Sequence, residues 1–193
     1  MTVIEPRVPM LPEDKARAIG KEVGVPSTMS GLNVFRIMSR HPELASVMAK
    51  GLAMLLYRGN KLDDRLRELI IMRIGWRTGA MYEWTQHWPV SLRVGLSEEV
   101  ALAVRDPANA TCLGPAELAV IAAADDVLDH GSVGEASWQA CAEHLASHEE
   151  RLELVAAICN WNTFSIILKS LHIPLEDGVA AWPPDGVPSP HAD

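Results

Sequence analysis

The chain has 193 residues, 48% of them hydrophobic, which suits a packed core in one compact domain. Its net charge of −8 and pI near 5.3 argue against a nucleic-acid or anionic-membrane surface, since both want basic patches. The first residues, M-T-V-I-E-P-R-V-P, lack the charged and apolar regions of a signal peptide. No apolar run approaches the ~18 residues of a membrane span, so a cytoplasmic, soluble protein is expected. Three scattered cysteines, Cys112, Cys141 and Cys159, form no C-x-x-C pair and read as free thiols in a reducing compartment.

Apolar residues recur at three and four along nearly the whole chain, and strand-like alternation never persists. The expected fold is therefore all-α. Pro12 to Val23 reads as an amphipathic helix closed by Gly24 and Pro26, and Gly31 to Ser39 as a short one. Pro42 opens a helix through about Tyr57, which Gly59-Asn60 breaks. Leu62 to Arg77 follows, then a Thr78-Gly79 hinge, then Ala80 to Val94. Ser97-Glu98-Glu99 caps a short helix; Pro115 to His130 and Glu135 to Ala146 come next. Ser147-His148-Glu149-Glu150 has capping-box spacing before a long helix to about Leu171. Residues 1–176 are expected to form the domain, and the Pro/Gly-rich stretch 177–193 an extended arm or disordered tail. Asp64-Arg65-Leu66-Arg67-Glu68-Leu69 faintly echoes Glu150-Arg151-Leu152-Glu153-Leu154, too short a match to decide between duplication and chance.

The stretch Arg67 to His87, R-E-L-I-I-M-R-I-G-W-R-T-G-A-M-Y-E-W-T-Q-H, places ionisable groups in apolar helical sequence, where they are costly unless paired or used. Glu68 falls beside Ile71, Met72 and Gly75 on its helix, with Arg65 one turn earlier as a candidate partner. On the next helix Met81, Trp84, Trp88 and Leu92 form an apolar stripe, with Glu83 and His87 one turn apart along its edge. Ala80 and Ser91 extend that line and are small enough to leave space. A solvated Glu–His pair is the plain alternative to a small polar pocket in an apolar wall. Tyr82 points about 100° away from Glu83 and suits an interface or supporting role. The other histidines, His41, His130, His144, His148, His172 and His191, lie near helix ends or in polar sequence and suit capping or surface roles.

R-E-L-I-I-x-R followed by G-x-x-Y-E-W-x-x-H resembles the carboxymuconolactone decarboxylase and alkylhydroperoxidase D superfamily over about Leu62 to Ser97. The resemblance implies a helical bundle built on a helix hairpin, with dimers, trimers or hexamers as assemblies. In the alkylhydroperoxidase branch a glutamate, a C-x-x-C pair and a following histidine form a thiol relay. By spacing to His87, the glutamate falls on Glu68 and the two cysteines on Ala80 and Glu83. Peroxide reduction needs an attacking and a resolving thiol, and alanine and glutamate supply neither.

What remains is an acid–base set, Glu68, Glu83 and His87, as the expected catalytic residues. A histidine poised near neutral pH would move the proton and the carboxylates would orient it. Ala80, Tyr82, Trp84 and Trp88 are the expected substrate-lining residues, with a far wall from segments around Met29 to Met38 or Ile158 to Leu168. The expected reaction is cofactor-free lyase, decarboxylase or isomerase chemistry on a small carbonyl or lactone metabolite, with neither nucleic acid nor membrane as partner. A thiol peroxidase, a metal site made by Glu68, Glu83 and His87, and a non-catalytic oligomer are the alternatives.

Overall fold

The computed structural model describes residues 5–58 and 60–192. The described residues form helices α1 (Glu13–Val23), α2 (Ser27–Ser30), α3 (Asn33–Met38), α4 (Pro42–Tyr57), α5 (Asp64–Thr78), α6 (Met81–Arg93), α7 (Glu98–Ala103), α8 (Pro115–His130), α9 (Glu135–His144) and α10 (His148–Ser170), and no strand. The all-α expectation holds, with α2 unforeseen and the expected break at Gly59 outside the described residues. No helix among the described residues is long and apolar enough to cross a membrane.

The division into a domain 1–176 and a tail 177–193 is not the one the structure gives. The chain forms two compact units, residues 1–59 with 167–179 and residues 60–166 with 180–193. In the first unit, His41 accepts from the Leu44 amide at the start of α4, the capping role its sequence position suggests. Asn33 of α3 holds the returning segment, its side-chain amide donating to the Pro174 and Leu175 carbonyls while its backbone N–H donates to Glu176.

The second unit is organised by α5 and α6. Asp63 caps α5 by accepting from the Arg65 and Leu66 amides. Every residue from Arg67 to Trp76 is buried, so α5 is the central helix of this unit. Gly79 ends α5 in the left-handed region at φ 67°, and the chain turns directly into α6. At Gly75 a Cβ would stand 3.1 Å from the Trp84 backbone nitrogen, so the missing side chain lets α5 and α6 approach closely. Helix α8 packs on α5 through a charged lock: Arg73 donates bidentately to Asp125 at 2.8 Å, and Arg77 donates to Asp125 and Asp129.

Four tryptophans, Trp76, Trp84, Trp88 and Trp182, form the aromatic part of the core, with neighbouring ring centroids 5.2–6.2 Å apart. Trp182 belongs to the stretch expected to be an arm or disordered. That stretch is extended but docked. Trp84 donates its indole N–H to the Pro183 carbonyl at 2.7 Å, and Ser189 donates to the Trp76 carbonyl at 2.6 Å. The Trp182 amide donates to Thr85, and Asp185 receives a bidentate bond from Arg105. The Arg105 guanidinium also lies 4.5 Å above the Trp76 ring and 4.8 Å above Trp84. A Cβ at Gly79 would collide with the His191 carbonyl, so this glycine serves both the turn and the docked strap.

Candidate acid–base site

Glu68 lies on α5 before the Gly79 turn and His87 on α6 after it, at similar distances along the chain, so the antiparallel return brings them to one height. His87 Nδ1 is 2.7 Å from Glu68 Oε2. On the other side of the ring, His87 Nε2 is 3.3 Å from Glu83 Oε1, one helical turn earlier. The three residues converge. Glu68 is fully buried, the Glu83 side chain is 7% exposed and the His87 side chain 13%, which excludes the solvated-pair alternative.

The cation beside Glu68 is Arg67, not Arg65. Arg65 faces Glu117 at 3.6 Å, whereas Arg67 Nε stands 3.8 Å from Glu68 Oε1 and its Nη1 donates to Asp64. Glu68 Oε1 and Arg67 Nε are buried without a hydrogen-bond partner. Their separation is beyond direct hydrogen bonding, so the pair acts through charge alone.

A third element completes the ring's surroundings. Trp161 of α10, fully buried, directs its indole N–H to His87 Nε2 at 3.3 Å, and the rings meet edge to face at 5.9 Å. It lies in the segment Ile158 to Leu168 expected to supply a far wall, although no single residue there stood out. The available signal was an indole between Asn160 and Asn162 in an otherwise apolar turn.

The histidine is not poised near neutral pH. Burial pushes its pKa down, but the Glu68 carboxylate, by charge and by hydrogen bond, and then Glu83 push it up harder, to about 10. At neutral pH the ring is therefore held as an imidazolium between two carboxylates.

The expected lining residues divide. Ala80 is buried at the start of α6 on the line of Glu83 and His87, and Tyr82 is buried on α6. Trp84 and Trp88 are corrected: both turn into the tryptophan core, stacked at 6.0 Å, because the positions next to Glu83 and His87 face the opposite side of α6. Neither is a lining residue.

No thiol joins the constellation. Cys141 is buried, with its pKa pushed up to about 11 chiefly by desolvation, Cys112 is half-buried and Cys159 is exposed. A single ion bound by Glu68, Glu83 and His87 together is also disfavoured, because the carboxylates engage opposite nitrogens of one ring. Among the described residues no group of three His, Cys, Asp or Glu is arranged to hold a metal.

An all-helical unit built on a tight helix hairpin with a glutamate–histidine pair across it defines the class. Residues 42–126 match the carboxymuconolactone decarboxylase family, and with the fold this places the chain in the carboxymuconolactone decarboxylase/alkylhydroperoxidase D superfamily. Similar solved structures include an alkylhydroperoxidase D core, an uncharacterized peroxidase-related protein from Ralstonia eutropha JMP134. It has 19% identity and a TM-score of 0.70 over 89% of this chain and 93% of that one. A second uncharacterized peroxidase-related protein, from Silicibacter sp. TM1040, has 11% identity and a TM-score of 0.71 over 93% and 96%. The debrominase Bmp8, solved with 2,3,4-tribromopyrrole, has 17% identity and a TM-score of 0.68 over 92% and 95%. These likenesses concern the fold. No curated protein sequence matches the chain.

Proposed function

We propose that this protein is an acid–base enzyme of lyase, decarboxylase or isomerase type acting on a small oxygenated carbonyl or lactone. The observation that carries the reading is a single imidazole held end to end between two buried carboxylates, Glu68 at 2.7 Å and Glu83 at 3.3 Å. Glu68, fully enclosed, fixes the ring and its charge. Glu83 is the proton acceptor at the substrate carbon, and His87 carries that proton on Nε2 until it is returned to the product. A buried carboxylate pair sharing one imidazole keeps this exchange local and dry, where charge interactions are strong. The superfamily's enzymes, including a debrominase with a small unsaturated ring bound, support small-molecule chemistry. The chemistry of the residues supports a cofactor-free, metal-free reaction. Apolar side chains exposed on α4 (Val47, Tyr57) and α10 (Leu152, Ile166) support a homo-oligomer, a dimer, trimer or hexamer, and the reducing thiols a cytoplasmic location.

The test is a panel of small keto acids and lactones in D₂O, read by NMR for deuterium incorporation or carbon dioxide loss. Wild-type protein should act on at least one member, and Glu83→Gln should slow it by about 10²–10⁴-fold, the usual worth of a positioned acid–base group. Equal rates in Glu83→Gln, or peroxide turnover that disappears when the three cysteines become serine, would overturn the reading in favour of other chemistry.

A further inference from the structure

The nitrogen His87 Nε2 has two partners that require opposite things of it. An indole nitrogen can only donate, so the Trp161 bond at 3.3 Å needs a lone pair on Nε2. A carboxylate can only accept, so pairing with ionised Glu83 at 3.3 Å needs a proton there. The two arrangements exclude each other, because a protonated Nε2 would point N–H at N–H.

We propose that Trp161 is a positioning residue that decides where the shared proton of the Glu83–His87 pair resides. Its indole holds Nε2 bare and leaves the proton on Glu83 or off the pair, while Glu68 keeps Nδ1–H in place. Moving the proton onto Nε2 breaks the Trp161 bond and hands the nitrogen to Glu83. No atom other than this proton changes place. The charged groups facing the ring are Glu68 from α5, with Arg67 behind it, and Glu83 from α6. All act by charge, and the two glutamates favour the imidazolium. From α10 the ring receives an uncharged donor, which works the other way. Trp161 is fully buried, so water does not replace its N–H at little cost.

The inference rests on the acid–base reading for its use, but not for its test. The test is an NMR titration of the full chain labelled with ¹⁵N at histidine and tryptophan. Trp161→Phe keeps the aromatic packing and removes the donor. It should raise the His87 midpoint above the wild-type value of about 10 by about half to one pH unit, the equivalent of one ordinary hydrogen bond. In wild type, the Trp161 indole N–H resonance should move with the same midpoint as His87, and it should stop responding in His87→Gln. An unchanged His87 midpoint in Trp161→Phe would overturn the proposal. So would an indole resonance indifferent to the His87 titration, a readout that needs no folded variant. If no substrate is ever turned over, these signals still decide the role of Trp161.

Discussion

Helix α6 presents two neighbouring stripes that solve opposite problems. Glu83 and His87 form one, in which charge is buried and balanced around a single imidazole. Trp84 and Trp88 form the other, one residue further along, in which aromatic surface is buried and clamped by the strap 180–192. The tryptophan side satisfies its polar atoms: the Trp84 indole finds the Pro183 carbonyl and Ser189 finds Trp76. The carboxylate side leaves Glu68 Oε1 and Arg67 Nε unpaired and offers Nε2 two incompatible partners. Stability accumulates on one stripe and proton mobility on the other, which is the expected division when a rigid scaffold supports a site with unspent polar capacity.

The largest effect that separates the stripes is predicted for His87→Ala. It leaves the fully buried Glu68 without its charge partner, so the variant should lose about 3–5 kcal/mol of folding stability. The double variant Glu68→Gln/His87→Gln removes the charge as well as the partner and should recover much of that loss while remaining without turnover. Urea unfolding of the three proteins is the check. If His87→Ala unfolded at the wild-type midpoint, Glu68 would not depend on the imidazole, and the buried pair would have been misjudged.

On the aromatic side, Trp182→Ala removes a buried ring that meets Trp76 and Trp84, and should cost about 3 kcal/mol, the low end for such deletions because the strap can settle inward. The His87 titration should be unmoved, since the ring lies on the other stripe. A shifted His87 midpoint in this variant would show that the two stripes are coupled and that the comparison is too simple.

The sequence made one stripe more legible than the other. Glu68, Glu83 and His87 stood out because ionisable groups interrupt apolar periodicity at turn spacing around a Thr78-Gly79 break, and local geometry brings them together. The same periodicity offered Trp84 and Trp88 as core and as lining at once, and only the burial of the docked strap decides for core. The strap misled because its prolines and glycines forbid regular structure, while what holds it is a set of contacts from Trp182, Pro183, Asp185 and Ser189 to residues about a hundred positions away. Trp161 likewise reaches His87 from a distant helix, and no local pattern encodes that meeting. The charge state of His87 needed the distances themselves, because burial and two carboxylates pull in opposite directions.

The smallest expected effect sharpens the comparison through pH, because the two stripes should weaken at opposite ends of the scale. His87 is raised in the folded protein, from 6.5 to about 10, so its stabilisation is fully present below the unfolded value and is lost as pH rises through about 10. Asp185 is lowered by its bond from Arg105, from 3.8 to about 2, so its stabilisation is present above the unfolded value and is lost as pH falls through about 2. The Asp185 side chain is 40% exposed, and solvent screening limits this clamp to roughly 1 kcal/mol or less. Asp185→Asn should therefore lower the unfolding midpoint slightly at pH 7 and not at all near pH 2, where the wild-type clamp has itself been protonated. At pH 10 the same substitution should cost as much as at neutral pH, because the clamp is still ionised there while His87 is losing its proton. Melting curves of wild type and Asp185→Asn across these three conditions measure the difference directly. A loss that persisted unchanged at pH 2 would mean that the strap is held by shape and hydrogen bonding alone, with no electrostatic share.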